Sequence, residues 1–155
     1  MGQEYGGERK FPIYFAKHVN EAVAPGDPIQ GHFDIVTDLD YEVEMAFVVR
    51  RDIQGAKAED AASYVFGYTI MNDVSARCIQ MRHKQWFRKS LDGFAPMGPC
   101  LVTADSFSFP PKLNLTCHVN GELRQKCNTE LYIHNIPYVI EELSHAMRIP
   151  AGTII

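Results

Sequence analysis

The sequence predicts an α+β fold that is mostly β, with a few short helices, in a single domain over residues 1–155. Three observations carry this. Runs rich in β-branched and aromatic residues recur along the chain, the strongest at 40–50 and 64–71. Residues 113–119 alternate apolar and polar side chains and run straight into Asn120-Gly121, the strongest hairpin signal in the chain. The best helical spacing lies at 136–147, through Ile136, Val139, Ile140, Leu143 and Met147.

Taken in order, residues 1–10 are polar and Gly-rich and read as a mobile segment. Residues 11–15 form a short apolar run that predicts a strand, with Pro12 near its start. A Pro-Gly loop covers 23–31, and a short strand is expected within 32–38. The strand at 40–50 follows. Residues 56–63, rich in Ala, Glu and Asp, predict a short helix. After the strand at 64–71, Asp73 or Ser75 caps a helix through 76–81. The basic stretch 82–92, around the single Trp86, reads as a loop. Gly98-Pro99 breaks the chain before a strand at 100–103. The hairpin arms are 113–119 and 122–125. Asn135 is the N-cap of the last helix, with Pro137 in its first turn. Residues 149–155 look like the start of a strand, which suggests a truncated chain or one that pairs its end with another chain.

Composition narrows the function classes. The chain is long enough for a real core, and its 46% apolar and 22% charged residues are typical of soluble globular proteins. A net charge of -4 leaves no basic footprint for nucleic acid. No apolar run reaches membrane-spanning length and the first residues are not signal-like, so no membrane partner and a cytoplasmic location are expected. The four cysteines form no C-x-x-C pair, which argues for free thiols.

The chemistry centres on carboxylates. Glu42 and Glu44 are two apart on a strand, so they share a face, roughly 7 Å apart at ~3.4 Å per residue. Two acids on one side of an apolar strand need something positive or a proton between them. Asp73, at the end of the second strong strand, is the third candidate. Three converging carboxylates suit a hard divalent cation and leave room for a substrate. Spacing alone slightly favours the plainer alternative, in which the glutamates face solvent and Asp73 caps a helix. The polar run from Arg77 to Ser90 is either an anion-binding patch or a solvated basic loop. His18 and Glu21 form an H-x-x-E pair that reads as surface. No serine has a G-x-S-x-G surround, and Cys100 has no identifiable base, which disfavours triad hydrolysis.

A set of motifs then appears in order: Asp40-Tyr-Glu-Val-Glu44, Gly67-Tyr-Thr-Ile-Met-Asn-Asp-Val-Ser-Ala-Arg77, Gln80, Gln85-Trp86, Lys89-Ser-Leu-Asp-Gly-Phe-Ala-Pro-Met-Gly-Pro99, Val119-Asn-Gly-Glu-Leu-Arg-Gln125 and Asn128-Thr129. Together they closely resemble the fumarylacetoacetate hydrolase family, of the acylpyruvate hydrolase and 2-hydroxyhepta-2,4-diene-1,7-dioate isomerase type. The match runs from about Phe11 to Ile155. The resemblance implies a mixed-sheet β-roll, usually as a homodimer. It implies that Glu42, Glu44 and Asp73 hold Mg²⁺ or Mn²⁺, with Ca²⁺ as an occasional occupant. Lys89 maps onto the family's catalytic lysine, and Gln80 and Arg77 onto substrate-binding positions. Substrates would be small anionic 2-oxo acids, undergoing C–C hydrolysis, decarboxylation or isomerisation through a metal-stabilised enolate.

The chain also departs from the family pattern. The His-x-x-Glu pair and the Thr-Gly-Thr-Pro segment are absent, so residues 1–10 read as a lid remnant and the domain as truncated at both ends. The glycine that the family places between the matches to Trp86 and Lys89 is missing, and Cys78 replaces an aspartate. The alternative function is a truncated or inactive member that binds metal and dimerises without turnover.

Overall fold

The computed structural model describes residues 11–83 and 85–155. The lid remnant expected at 1–10, and Lys84 of the basic run, lie outside the described residues. The expected strand at 40–50 is present as two pieces, β1 (Leu39–Asp40) and β2 (Val43–Val49). The next strong run forms β3 (Val65–Asn72). Local hydrogen bonding breaks the first run in two. The Glu42 N–H donates to the Asn72 side chain at 3.0 Å, and the Glu42 carbonyl accepts from the Asp73 N–H at 2.8 Å. The main chain at Glu42 is thereby pinned to the end of β3.

β2 and β3 pair antiparallel, from Val43 opposite Asn72 to Val49 opposite Val65. On the other side of β3 lies β5 (Met97–Thr103), giving the order β2-β3-β5, while β4 (Ser75–Ala76) pairs with β1. Strand pairing is antiparallel, and a parallel bridge between Val23 and Pro96 adds the mixed element. β3 is the central strand and Gly67 is its point of closest approach. A Cβ there would lie 2.5 Å from the Val102 carbonyl oxygen.

β6 (Asn114–Val119) and β7 (Glu122–Asn128) form the expected hairpin. Asn120 and Gly121 have φ of +52° and +81°, the paired left-handed conformation that a two-residue turn requires. The last helix also forms where spacing places it, as α2 (Ile136–Ala146), after a shorter helix α1 (Gln85–Lys89). The Asn135 side chain accepts from the Tyr138 N–H at 3.0 Å and caps it. α2 turns Ile136 and Ile140 into a core with Phe47, Val49, Ile53, Val65, Tyr68 and Ile149. Each such side chain fully buried contributes about 1.5–3 kcal/mol.

Several expectations are corrected. Residues 11–15 form no strand; among the described residues they make no main-chain hydrogen bond to a neighbouring strand. Residues 32–38 turn rather than extend, with His32 at φ +49° and its carbonyl accepting from Ile35 and Val36. The short helix expected at 56–63 forms at Ala58–Tyr64, with 3₁₀ rather than α geometry, and feeds directly into β3. Ser75 caps nothing: it lies in β4, and its hydroxyl donates to the Asp73 carbonyl at 2.9 Å. The helix expected at 76–81 shrinks to a 3₁₀ turn (Arg77–Ile79). Within the expected loop at 82–92 a short helix forms, α1 (Gln85–Lys89), with Arg88 and Lys89 in its last turn, where cations complement the helix dipole. Gly98-Pro99 does not break the chain, because β5 continues through it with a register shift against β3. Finally, residues 149–155 pair within this chain, along the free edge of β2. Main-chain bonds join Phe47 to Ile155 in both directions, at 2.8 and 3.0 Å.

Candidate active site

The pinned junction between β1 and β2 brings Glu42 beside Asp73, which leaves the end of β3. Glu42, Asp73 and Lys89 are buried, and Glu44 is half-buried. Each of the three acids offers one oxygen within 4.8 Å of the others. The donor set is all-oxygen, anionic and convergent, which fits a hard divalent cation.

The positive groups around it are specific. Lys89, the last residue of α1, donates from Nζ to Glu42 Oε2 at 2.8 Å and to Asp73 Oδ2. The missing glycine therefore does not keep Lys89 from the carboxylates, because α1 turns its end toward them. Arg77 spans two acids: Nε donates to Asp40 Oδ2 at 2.7 Å and Nη2 to Glu42 Oε1 at 2.5 Å. Its guanidinium thus bridges Asp40 and Glu42. Gln80 sits half-buried just past the 3₁₀ turn and is drawn into none of these ion pairs.

Sequence reasoning missed Lys17. Its Nζ donates to Asp73 Oδ1 at 2.7 Å and to the Lys89 carbonyl. Burial pulls the Lys17 pKa below the usual lysine range, against the pull of Asp73, and the Lys89 charge adds to the lowering. The available signal was a lone lysine ending the apolar run 11–15, since a lysine that leaves water needs an acid. Asp40, the second acid that Arg77 holds, was also not singled out, although Asp40, Glu42 and Glu44 alternate along one segment.

Among the described residues, Glu44 is the acid of the three with no hydrogen-bonded cation. Burial, then the charges of Asp73 and Glu42, push its pKa up to about 7, partly offset by Lys89 and Lys17. His18 and Glu21 lie away from this centre. The His18 ring is exposed and pairs with Asn20 at 2.9 Å, as expected of a surface histidine. They line an open cleft of about 560 Å³ with Asp92 and Phe94, which none of the three carboxylates lines.

The fumarylacetoacetate (FAA) hydrolase C-terminal family model matches residues 2–155. The chain belongs to the fumarylacetoacetate hydrolase family. It is 44% identical over 145 residues to oxaloacetate tautomerase YisK of Bacillus subtilis, covering 93% of this chain and 48% of that protein. The mitochondrial oxaloacetate tautomerase fahd2 of Xenopus laevis is 39% identical, covering 94% and 46%. Among solved structures, fumarylpyruvate hydrolase from Pseudomonas aeruginosa, in complex with Mn²⁺ and pyruvate, superposes with a TM-score of 0.86 at 26% identity, covering 99% of this chain and 70% of that one. A fumarylacetoacetate hydrolase from Exiguobacterium antarcticum gives a TM-score of 0.83 at 42% identity, covering 86% and 48%. The chain spans about half the length of the curated relatives just named. Its mostly β architecture with a few short helices is the family fold. The family contains hydrolases, isomerases and tautomerases of small oxo acids. No helix among the described residues is long and apolar enough to cross a membrane.

Proposed function

We propose that this protein is a divalent-metal-dependent enzyme acting on a small 2-oxo acid, and that the step it promotes is formation of the enolate. The convergence of Glu42, Glu44 and Asp73 with the buried Lys89 and the half-buried Lys17 carries the reading. The acids are the metal ligands, with Mg²⁺ or Mn²⁺ as the cation. A bound cation would supply Lewis acidity toward the carboxylate and keto oxygens of the substrate. The protein's own part is electrostatic. Lys89 sets a desolvated ammonium where negative charge develops, and the Phe15 ring, 5.5 Å from its Nζ, covers it. Gln80 serves as a substrate contact. Arg77 acts through Glu42, holding that carboxylate in place.

Oxaloacetate is the first substrate to test, because YisK and fahd2 are named as oxaloacetate tautomerases. Isomerisation needs only a proton moved at the carbon beside the keto group, without attack by water. The experiment has two arms. Mn²⁺ affinity is measured by calorimetry for the native protein, Glu42→Ala and Asp73→Ala, and unchanged affinity in both variants overturns the metal site. Turnover of oxaloacetate and of an acylpyruvate with Mn²⁺ is then followed, and metal binding without turnover of either favours a member that binds metal without catalysis. A homodimer is part of this reading, supported by large apolar side chains left exposed, such as Phe33, Leu131 and Phe66. Sedimentation tests it directly.

A further inference from the structure

Residues 11–18 cross the site without regular secondary structure, and among the described residues no hydrogen bond from main chain to main chain ties them to the rest of the fold. Side chains hold this strap. At its inner end Lys17 reaches Asp73, and the His18 N–H donates to the Ser90 hydroxyl at 3.0 Å. At its outer end the Tyr14 hydroxyl donates to Glu142 Oε2 at 2.5 Å, and the other Glu142 oxygen accepts from the Tyr138 hydroxyl at 3.2 Å. Glu142 belongs to α2, whose opposite face is locked into the core by Ile136 and Ile140.

We propose that Glu142 is a positioning residue for the candidate site: through Tyr14 it latches the strap to α2 and so fixes Lys17 against Asp73. Only Phe15 and Ala16 separate Tyr14 from Lys17, and three residues span at most ~10 Å of chain, so the latch holds Lys17 within that reach of α2's surface. Phe15 lies between the two anchors and carries its ring to Lys89. The Tyr14 hydroxyl is a permanent donor, because burial, then Glu142, holds its pKa well above the usual tyrosine value. A hydrogen bond to a carboxylate, seated on the one well-packed helix nearby, is therefore what replaces strand pairing for this segment.

The inference rests on reading the carboxylate cluster as the site, and its test reads the position of Lys17 whether or not the protein turns anything over. Pulse acetylation with acetic anhydride, resolved by peptide mass spectrometry, compares Lys17 with exposed Lys57 as the internal standard. Glu142→Ala and Tyr14→Phe should each speed Lys17 labelling by about three- to tenfold, the range expected for net loss of one ordinary hydrogen bond. Glu142→Gln retains an acceptor for Tyr14 and should restore most of the protection. Tyr138→Phe, which leaves the Tyr14 bond intact, should change Lys17 labelling less than Tyr14→Phe does. Tyr14 lies outside α2, so its variant remains informative if Glu142→Ala disturbs the helix. Native-like Lys17 labelling in folded Tyr14→Phe overturns the proposal, as does Glu142→Gln labelling as fast as Glu142→Ala. If Mn²⁺ fails to bind while the labelling pattern holds, the metal reading fails and the latch stands.

Discussion

The amine of Lys89 stands between Glu42 Oε2, 2.8 Å away, and Asp73 Oδ2, and all three side chains are buried. Charges taken out of water at this depth are tolerated only while they are paired. Lys89→Met removes one cation and leaves three converging acids with, among the described residues, Lys17 and Arg77 as the cations bonded to them. Without metal the variant should be destabilised, on the order of 3–5 kcal/mol, the usual effect of removing one partner of a buried pair. Added Mn²⁺ should restore more stability to Lys89→Met than to the native protein, because the cation replaces the missing charge. Thermal melts with and without Mn²⁺ measure both effects. Equal Mn²⁺ shifts in the two proteins would count against a cation site among these acids.

Glu44 sets the pH dependence. Its carboxyl pKa is raised from 4.5 to about 7 in the folded chain, chiefly by burial and then by Asp73 and Glu42. Between those values the folded state holds a proton that the unfolded state has released. Stability of the metal-free protein should therefore fall as pH rises through that window, and the contribution of Glu44 is fully present only below it. Glu44→Gln should flatten this slope and be the more stable protein at about pH 8. A divalent cation must displace the proton, so its affinity should weaken below about pH 7, with protons released on binding. Calorimetry in two buffers of different ionisation enthalpy counts those protons. Release of none at about pH 6 would exclude Glu44 as a ligand.

Much of the fold was legible because it rests on local signals. The Asn120-Gly121 turn, the spacing of α2 and its Asn135 cap are written in neighbouring residues, and each forms where expected. What failed depends on distant partners. The apolar run at 11–15 looks like a strand, but strand formation needs a free edge, and side chains hold the run instead. Ser75 has the chemistry of a cap, but β1 claims its backbone and Asp73 its hydroxyl. The site divides in the same way. The alternation of Glu42 and Glu44 showed a shared face and the strand end offered Asp73 as a third acid, whereas the choice of a shared cation over the plainer alternative came from the motif resemblance. Lys17 lies 56 residues from Asp73 and no motif points to it.

Gly67 should tolerate no side chain. A methyl group there would meet the Val102 carbonyl oxygen at 2.5 Å, and the contact is with backbone that a rotamer change cannot relieve. Gly67→Ala must push β5 away from β3, at a cost of about 1–3 kcal/mol, as overpacking typically does. The denaturation midpoint should drop accordingly. Because β3 carries Asp73 at its end, Mn²⁺ affinity of the variant should fall as well. A midpoint equal to the native one would refute the strain.

Arg77 and Gln80 separate by their effects. Arg77 joins Asp40 to Glu42 with two nitrogens of one planar group, a geometry that a lysine ammonium cannot reproduce. Groups that orient a metal-binding carboxylate typically cost 10–100-fold in metal affinity when removed. Arg77→Lys and Asp40→Asn should both weaken Mn²⁺ binding by about that factor. Gln80 touches none of the ion pairs, so Gln80→Ala should leave Mn²⁺ affinity within about twofold and, if it is the substrate contact proposed above, instead raise the KM for a 2-oxo acid. Mn²⁺ titrations and steady-state kinetics on the three variants decide the matter. Weakened metal binding in Gln80→Ala, or native metal binding in Arg77→Lys, would reverse the two assignments.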